Sequence, residues 1–179
     1  MARAYLGLGS NLGDREAHLA AALPQLAGAG RVEAISSLYE TAPLYESEQP
    51  PFLNAACRLA TGLAPAALLD ALQAIERAVG RRPTYRYGPR EVDLDILLYD
   101  DLVVDEPGLV IPHPGLAERA FALAPLAELA PGLLHPRLGR TVAALLREAP
   151  GRAGVRPYLP RGWWPGQSGA ATRGASDER

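Results

Sequence analysis

Residues 92–99, with the sequence Val-Asp-Leu-Asp-Ile-Leu-Leu-Tyr, constrain the fold of this chain more than any other segment. Side chains in a β-strand alternate between the two faces of the sheet. The apolar residues that would enter the core together are Val92, Leu94, Ile96 and Leu98. Asp93 and Asp95 would leave by the opposite face, with their Cα atoms about 6.6 Å apart. The segment therefore predicts a buried strand that carries two neighbouring carboxylates.

The rest of the sequence predicts further strands, several of which follow one another without a helix between them. Strands are predicted at residues 4–8, 32–39 and 52–61, with a glycine-rich turn at 7–11 and a hairpin at 102–111. Helices are predicted after the N-cap Asp14, at 65–80 and at 141–148, with two more that are broken by Pro125 and Pro131. This order favours an α+β sandwich, with a mainly antiparallel sheet and helices on one face, over a doubly wound parallel sheet.

The length of 179 residues fits one domain. We place this domain at residues 1–149. Residues 150–179 are rich in Pro, Gly, Ser and Arg without periodicity, and we expect most of this tail to be disordered. Trp163 and Trp164 lie within it, and we interpret them as an accidental pair in preference to a docking site.

The basic residues limit the chemistry, because all 18 are arginine and lysine is absent. This composition excludes a P-loop NTPase, whose phosphate loop requires a lysine, and it excludes any Schiff-base mechanism. A bound phosphate would have to be held by arginine, by backbone N–H groups or by a metal ion. The single cysteine, Cys57, excludes an internal disulfide and a thiolate metal cluster.

The charge and hydropathy of the chain bear on its partners and its location. A formal net charge of −2 gives no general reason to expect nucleic acid or an anionic membrane as a partner. No apolar run approaches the ~20 residues needed to cross a bilayer, and the apolar N-terminus is too short to be a signal peptide. We therefore expect a monomeric cytoplasmic protein.

Asp93 and Asp95 are the strongest candidates for a functional site. Two carboxylates so close together repel each other unless a cation lies between them. With no cysteine or histidine nearby, oxygen ligands of this kind suit Mg²⁺, which commonly binds one or two carboxylates together with substrate phosphates and water. The acids could instead be a solvated strand face that neighbouring arginines neutralise. The arginines just upstream, which phosphoryl transfer would also require, are Arg81, Arg82, Arg86 and Arg90.

A second, weaker group of candidates surrounds Asn54, which shares a strand face with Phe52. An amide beside an aromatic ring can read the edge of a heteroaromatic base while the ring stacks on it, and Thr41 is a candidate for the same site. Gln73 and Glu76 lie three residues apart on one predicted helix and could face either the same cleft or water. His113 is held between two prolines, and a nucleotide contact is a better interpretation than metal ligation.

Taken in order, these residues resemble the 6-hydroxymethyl-7,8-dihydropterin pyrophosphokinases of folate biosynthesis. The resemblance spans roughly residues 3–135. Its most specific element is Gly88-Pro89-Arg90-Glu91-Val92-Asp93-Leu94-Asp95-Ile96. The other matching pieces are residues 7–14 (GLGSNLGD), 36–44 (SSLYETAPL), 49–55 (QPPFLNA), 111–114 (IPHP) and 118–121 (ERAF).

The resemblance implies a ferredoxin-like fold, ATP as the donor, AMP as the second product and two Mg²⁺ ions held by Asp93 and Asp95. The residues that it places around the pterin are Thr41, Ala42, Leu44, Phe52, Asn54, Tyr87 and Phe121. The residues that it places around ATP are Gln73, Glu76, Arg81, Arg90, Ile96, His113 and Arg119. It also implies that Arg81, Arg86 and Arg90 act on the transferring group together with the two acids.

The sequence departs from the family pattern at several positions. Ala42 stands where proline is frequent, and Tyr87 stands where tryptophan is frequent. The pattern leaves open whether Arg81 or Arg82 reaches the phosphates. Two other functions compete with pyrophosphoryl transfer: a two-aspartate nucleotidyl transferase, and a ferredoxin-like module that binds a ligand without chemistry. The acidic strand argues against the binding module, which would need a basic, aromatic sheet face to hold RNA.

Overall fold

The computed structural model describes residues 1–42 and 48–165, so the predicted pocket residue Leu44 lies outside the described residues. The strands are β1 (Ala2–Ser10), β2 (Arg31–Ile35), β3 (Leu38–Thr41), β4 (Phe52–Thr61), β5 (Asp93–Tyr99), β6 (Val104–Glu106), β7 (Leu109–Ile111), β8 (Leu134–His135), β9 (Arg140–Thr141) and β10 (Val155–Leu159). The α-helices are α1 (Arg15–Gln25), α2 (Pro65–Val79), α3 (Ala120–Leu129) and α4 (Val142–Glu148).

The main sheet is antiparallel throughout, as predicted. Its strands are ordered β10-β3-β4-β1-β5, and β2 pairs with the second half of β4. The predicted strand at 32–39 is two strands, because Ser36 interrupts it. The buried Ser36 hydroxyl accepts the backbone N–H of Ala56 at 2.8 Å, and β3 then pairs with the first half of β4.

The helices cover both faces of the sheet, so the expectation of helices on one face is wrong. The apolar side chains of α1 and α2 pack on one face with Leu53, Ala55 and Cys57 of β4. Those of α3 and α4 pack on the other face around Ala56. The sheet is buried on both sides because each face of β4 is apolar over most of its length. No helix in the described parts of the chain is long and apolar enough to cross a membrane.

Local signals explain where the helices begin and end. Asp14 caps α1 by accepting the backbone N–H of Ala17 at 3.1 Å, as predicted. Gly80 ends α2 in a left-handed conformation, with φ of 114°. The predicted break at Pro125 does not occur, because α3 continues through it to Leu129 with its apolar side buried against the sheet.

Strand β5 has a bulge that changes which residues share a face. Tyr5 of β1 pairs with Leu98 and Leu6 pairs with Ile96, so Leu97 is an extra residue in the ladder. Leu98 consequently lies in the α3–α4 core and not with Leu94 and Ile96, as strict alternation had predicted. The bulge lies beyond the two aspartates, so it leaves their shared face unchanged.

Residues 150–165 do not form the disordered tail that the sequence predicted. Strand β10 adds to the edge of β3, with Val155 paired to Thr41. The indole N–H of Trp163 donates to the backbone carbonyl of Ser36 at 2.9 Å, so this tryptophan is docked and not accidental. Composition misled here because the backbone of an edge strand contributes its hydrogen bonds regardless of side-chain periodicity. Residues 166–179 lie outside the described residues, and the domain boundary at 149 remains a prediction.

Candidate active site

The sheet face that carries α3 and α4 is only partly covered, and the remainder forms a cleft with a cavity of about 290 Å³. Phe52 and Asn54 point into this cleft from the same face of β4 that buries Ala56 under α3. The cleft brings together most of the residues predicted from the sequence. Those that line it are Thr41, Ala42, Phe52, Asn54, Tyr87, Arg90, Asp93, Asp95, His113, Arg119 and Phe121.

Two glycines of β1 form the floor of the cleft. Gly9 pairs with Asn54 on one side and with Asp93 on the other, and Gly7 pairs with Asp95. A β-carbon at Gly9 would lie 3.0 Å from the Asn54 side-chain oxygen, and one at Gly7 would lie 3.3 Å from the Leu97 side chain. The sequence suggested a turn here, but the strand continues to Ser10. The missing side chains therefore open a trough between β4 and β5.

Asp93 lies at what we call the acidic end of the cleft, formed by Glu76, Arg81, Arg90, Asp93 and Asp95. Its carboxylate pairs with Arg81 at 2.9 Å and with Arg90 at 3.0 Å. Arg81 also pairs with the buried Glu76 at 2.8 Å. Glu76 in turn accepts the backbone N–H of Leu94 at 2.8 Å, so α2 and β5 together fix this arrangement.

The surroundings of Asp95 disfavour the charged form of its carboxyl group. Burial and the charges of Asp93 and Glu76 together raise the pKa of its carboxyl to about 7, against the opposing effect of Arg119 and Arg90. A bound divalent cation would offset this repulsion. Within residues 1–42 and 48–165, no group of three or more His, Cys, Asp or Glu side chains could hold a metal ion. The two aspartates would therefore need oxygen ligands from substrate and water to complete a Mg²⁺ site.

The opposite end of the cleft, which we call the amide end, is formed by Thr41, Phe52, Asn54 and Phe121. The Asn54 amide donates to the Thr41 hydroxyl at 2.7 Å, and both side chains are buried. Phe52 and Phe121 supply aromatic rings beside this pair. An oriented amide between rings can bond the polar edge of a flat heterocycle while the rings contact its faces.

His113 and Arg119 lie on the side of the cleft nearest α3. Burial and the charge of Arg119 lower the pKa of His113 to about 4, against the opposing charge of Asp93. The imidazole is therefore neutral at pH 7. Its Nδ1 accepts the backbone N–H of Gly115 at 3.3 Å, which leaves the proton on Nε2 as a donor. The Arg119 guanidinium lies 5.8 Å from the centre of the Phe121 ring.

The arginines of the loop before β5 are not equivalent. Of Arg81 and Arg82, it is Arg81 whose side chain pairs with Asp93. The exposed Arg82 instead contacts Glu91 through its backbone N–H at 3.4 Å. Arg86 is also exposed, and its guanidinium bonds the Tyr87 hydroxyl at 2.9 Å and lies 4.9 Å from the centre of that ring. The roles expected of these arginines at a phosphate remain predictions.

Four residues that the resemblance places near ATP do not line the cavity itself. Glu76 and Arg81 lie behind Asp93, to which Arg81 is paired. The other two are Gln73 and Ile96. Gln73 is exposed on α2, and the Ile96 side chain is buried in the core between the sheet and the first two helices. Their expected contacts with a nucleotide remain predictions.

Sequence reasoning gave no role to Asn11 and Gln49, which connect the end of β1 to the loops before β4 and before β5. The buried Asn11 exchanges hydrogen bonds with the backbone of Arg90, donating its N–H at 3.1 Å and accepting at 2.8 Å on its side chain. Its amide also donates to Gln49 at 2.9 Å, and Gln49 donates to the backbone carbonyl of Tyr87. Both residues stand inside the matching motifs, but only the folded chain shows that their side chains meet.

Comparison with known proteins identifies the family of this chain. The sequence model of the 7,8-dihydro-6-hydroxymethylpterin-pyrophosphokinase (HPPK) family matches residues 5–131. The chain is 48% identical over 136 residues to the 2-amino-4-hydroxy-6-hydroxymethyldihydropteridine pyrophosphokinase of Methylorubrum extorquens, covering 75% of this chain and 86% of that protein. It is 45% identical over 157 residues to the folic acid synthesis protein fol1 of Schizosaccharomyces pombe, which covers 87% of this chain but only 21% of that longer protein.

A solved structure has the same fold. The wild-type HPPK-DHPS of Plasmodium falciparum superposes with a TM-score of 0.67 at 16% identity, over 82% of this chain and 44% of that one. At this identity the likeness concerns the fold alone. The family match covers well over half of the sequence and includes both aspartates and the Asn54 strand. The chain therefore belongs to the 7,8-dihydro-6-hydroxymethylpterin-pyrophosphokinase family.

Proposed function

We propose that this protein transfers the pyrophosphoryl group of ATP to 6-hydroxymethyl-7,8-dihydropterin, with release of AMP, in folate biosynthesis. One observation carries the proposal: a single cleft holds a pair of carboxylates with arginines at one end and a buried amide between aromatic rings at the other. The glycine trough lies between these ends, so two substrates can meet over the floor of β1.

The amide end suits a pterin. A pterin is flat, with hydrogen-bond donors and acceptors along one edge, and Asn54 and Thr41 present such groups from buried positions. Phe52 and Phe121 can contact its two faces. Bound in this way, the hydroxymethyl group would extend along the trough toward the acidic end.

The acidic end suits a triphosphate. Asp93 and Asp95 would hold two Mg²⁺ ions, which supply positive charge to the phosphate oxygens and lower the pKa of a bound hydroxyl. Arg81, Arg90 and Arg119 supply further positive charge without a general base being required. The pterin oxygen forms a bond to the β-phosphorus in line with the bond that breaks, and AMP leaves with the former bridging oxygen. The protein contributes by positioning both substrates and by holding the developing charge.

We also propose that the chain acts as a cytoplasmic monomer without nucleic acid. Most of the residues predicted for the two substrates meet within a single chain, which supports a monomer as the functional unit. The net charge of −2 supports small molecules as the partners.

Incubation of the protein with ATP, Mg²⁺ and 6-hydroxymethyl-7,8-dihydropterin, followed by chromatography of the nucleotides, tests the proposal. We expect AMP to appear in step with the pterin pyrophosphate ester, and only background release when the pterin is omitted. Release of pyrophosphate would instead indicate a nucleotidyl transferase. Binding of both ligands without turnover would indicate a binding module.

A further inference from the structure

Residues 155–165, which we call the C-terminal strap, pack beside the amide end of the cleft but do not line its cavity. The strap begins with β10, whose Val155 pairs with Thr41, the last residue of β3. On its other side Thr41 pairs with Phe52 of β4. The strand position that carries the Thr41 hydroxyl is therefore held between β4 and the strap.

The strap also reaches the junction between β3 and α3. Glu128, near the end of α3, accepts the hydroxyl of Tyr39 at 2.8 Å and the hydroxyl of Ser37 at 2.9 Å. Arg161 of the strap pairs with the same carboxylate at 3.0 Å. Phe121 lies at the beginning of this same helix, so Glu128 ties the element that carries Phe121 to the element that carries Thr41.

A third contact anchors the far end of the strap. The indole N–H of Trp163 donates to the backbone carbonyl of Ser36 at 2.9 Å, and both tryptophans pack against the core. Ser36 is buried and its hydroxyl holds the backbone of Ala56 in β4. The strap therefore contacts β3 along its whole length, from Thr41 at the end of the strand to Ser36 just before its beginning.

We propose that the C-terminal strap is a positioning element for the pterin: it fixes the separation between Thr41 and Phe121, and so sets pterin affinity without touching the ligand. This inference rests on the proposed function. The contacts named for Arg161 and Trp163 are with α3 and with the residues before β3. The acidic end is held separately, by α2, β5 and the arginine loop. Loss of the strap should therefore weaken pterin binding selectively.

The test compares two dissociation constants in a set of strap variants. Pterin binding is measured by calorimetry with saturating Mg²⁺ and α,β-methylene-ATP, and binding of this nucleotide analogue is measured alone. For the double variant Arg161→Ala with Trp163→Ala, we expect the pterin dissociation constant to rise about fivefold or more, since a charge-assisted and a neutral hydrogen bond are lost. The nucleotide constant should change by less than about twofold.

Matched variants distinguish positioning from a general loss of stability. Arg161→Lys, made as a single change, keeps a cation for Glu128. It should retain most of the pterin affinity of the unaltered protein. Arg156→Ala removes an exposed arginine from β10, within the same strap, and should leave both constants unchanged. If the double variant does not fold, Trp163→Phe keeps an aromatic side chain but removes the indole N–H donor, and it should weaken pterin binding about twofold. Unchanged pterin binding in the folded double variant, or in Trp163→Phe where the double variant does not fold, overturns the proposal, as does a parallel loss of affinity for both ligands.

Hydrogen exchange on the unaltered protein gives an independent check. Because coupling between sites is reciprocal, pterin should slow amide exchange in β10 more than the nucleotide analogue does. Equal protection by both ligands would contradict the role of the strap. Absence of any turnover in the unaltered protein would contradict the proposed function instead, so the two failures are distinguishable.

Discussion

The acidic end and the amide end of the cleft lie on the same sheet face but differ in how they are held. At the acidic end, the carboxylates of Glu76 and Asp93 pair with the guanidinium groups of Arg81 and Arg90, and the neighbouring Asp95 is left with a raised pKa. At the amide end, a buried hydrogen bond joins Asn54 and Thr41, and Phe52 and Phe121 line the same part of the cleft. The first arrangement is charged, with carboxylates that repel one another, whereas the second is neutral and joined by a hydrogen bond.

This difference indicates that the two ends of the cleft have different roles. A preformed neutral site favours recognition, because little has to be reorganised when a ligand binds. A charged site favours catalysis, because fixed charges can stabilise the charge that develops in a transition state. Changes at the acidic end should therefore reduce kcat, and changes at the amide end should raise the KM for the pterin.

The largest expected effect is at Asp95. Asp95→Ala should reduce kcat by about a thousandfold or more, because a ligand for the catalytic cation is lost. The pterin dissociation constant should change by less than about twofold. Steady-state kinetics and calorimetry measure the two quantities, and Asp101→Ala, at an exposed turn just after β5, is the control. Undiminished turnover in Asp95→Ala would remove the acidic end from the mechanism.

The next effect concerns the guanidinium groups. Arg90→Ala should lower kcat by about a hundredfold, which is typical of the loss of one electrostatic contact to a transition state. Arg77→Ala, which removes an exposed arginine from α2, should have no effect on turnover. A rise in the pterin KM with normal kcat in Arg90→Ala would place this arginine with the amide end.

At the amide end, the expected effect is on binding. Asn54→Ala should raise the KM for the pterin about ten- to a hundredfold, because the pterin loses a buried partner and the Thr41 hydroxyl loses its own. The KM for ATP should stay within about twofold. Thr41→Val tests the same contact from the other side and should give a smaller change in the same direction. A loss of kcat alone would contradict the division between the two ends.

The smallest expected effect is on stability and involves neither end directly. Although burial acts to raise the pKa of Glu128, hydrogen bonds from Tyr39 and Ser37 and the charge of Arg161 lower it overall. A folded-state pKa below the unfolded one stabilises the fold above the unfolded pKa of about 4.3, and this contribution is lost as the pH falls through the folded value. Denaturation at pH 7 and at pH 4 measures the free energy of unfolding at each pH. The decrease in this free energy between pH 7 and pH 4 should be smaller in Glu128→Gln than in the unaltered protein.

Much of the acidic end could be predicted from the sequence, because strand alternation alone places Asp93 and Asp95 on one face. The pairing of Asn54 with Phe52 followed from the same rule. Local rules also gave the N-cap at Asp14 and the end of α2 at Gly80. These features depend on neighbours in sequence, and each was present in the folded chain.

Features that depend on contacts between distant residues could not be predicted in this way. The bulge at Leu97 arises from the register between β5 and β1. The hydrogen bonds of Asn11 join loops that are far apart in sequence. The strand β10 has an unremarkable composition and forms only because the edge of β3 is open to it. The second layer of helices was missed because a chain's order of elements does not reveal which face a helix covers.

Binding of Mn²⁺, followed by electron paramagnetic resonance in the presence of α,β-methylene-ATP, tests most directly whether the aspartate pair holds a cation against the triphosphate. The unaltered protein should bind Mn²⁺ together with the nucleotide. Asp95→Asn, which keeps the size of the side chain but not its charge, should weaken that binding by at least about tenfold. Equal Mn²⁺ affinity in the two proteins would contradict the assignment of the acidic end as the metal and phosphate site.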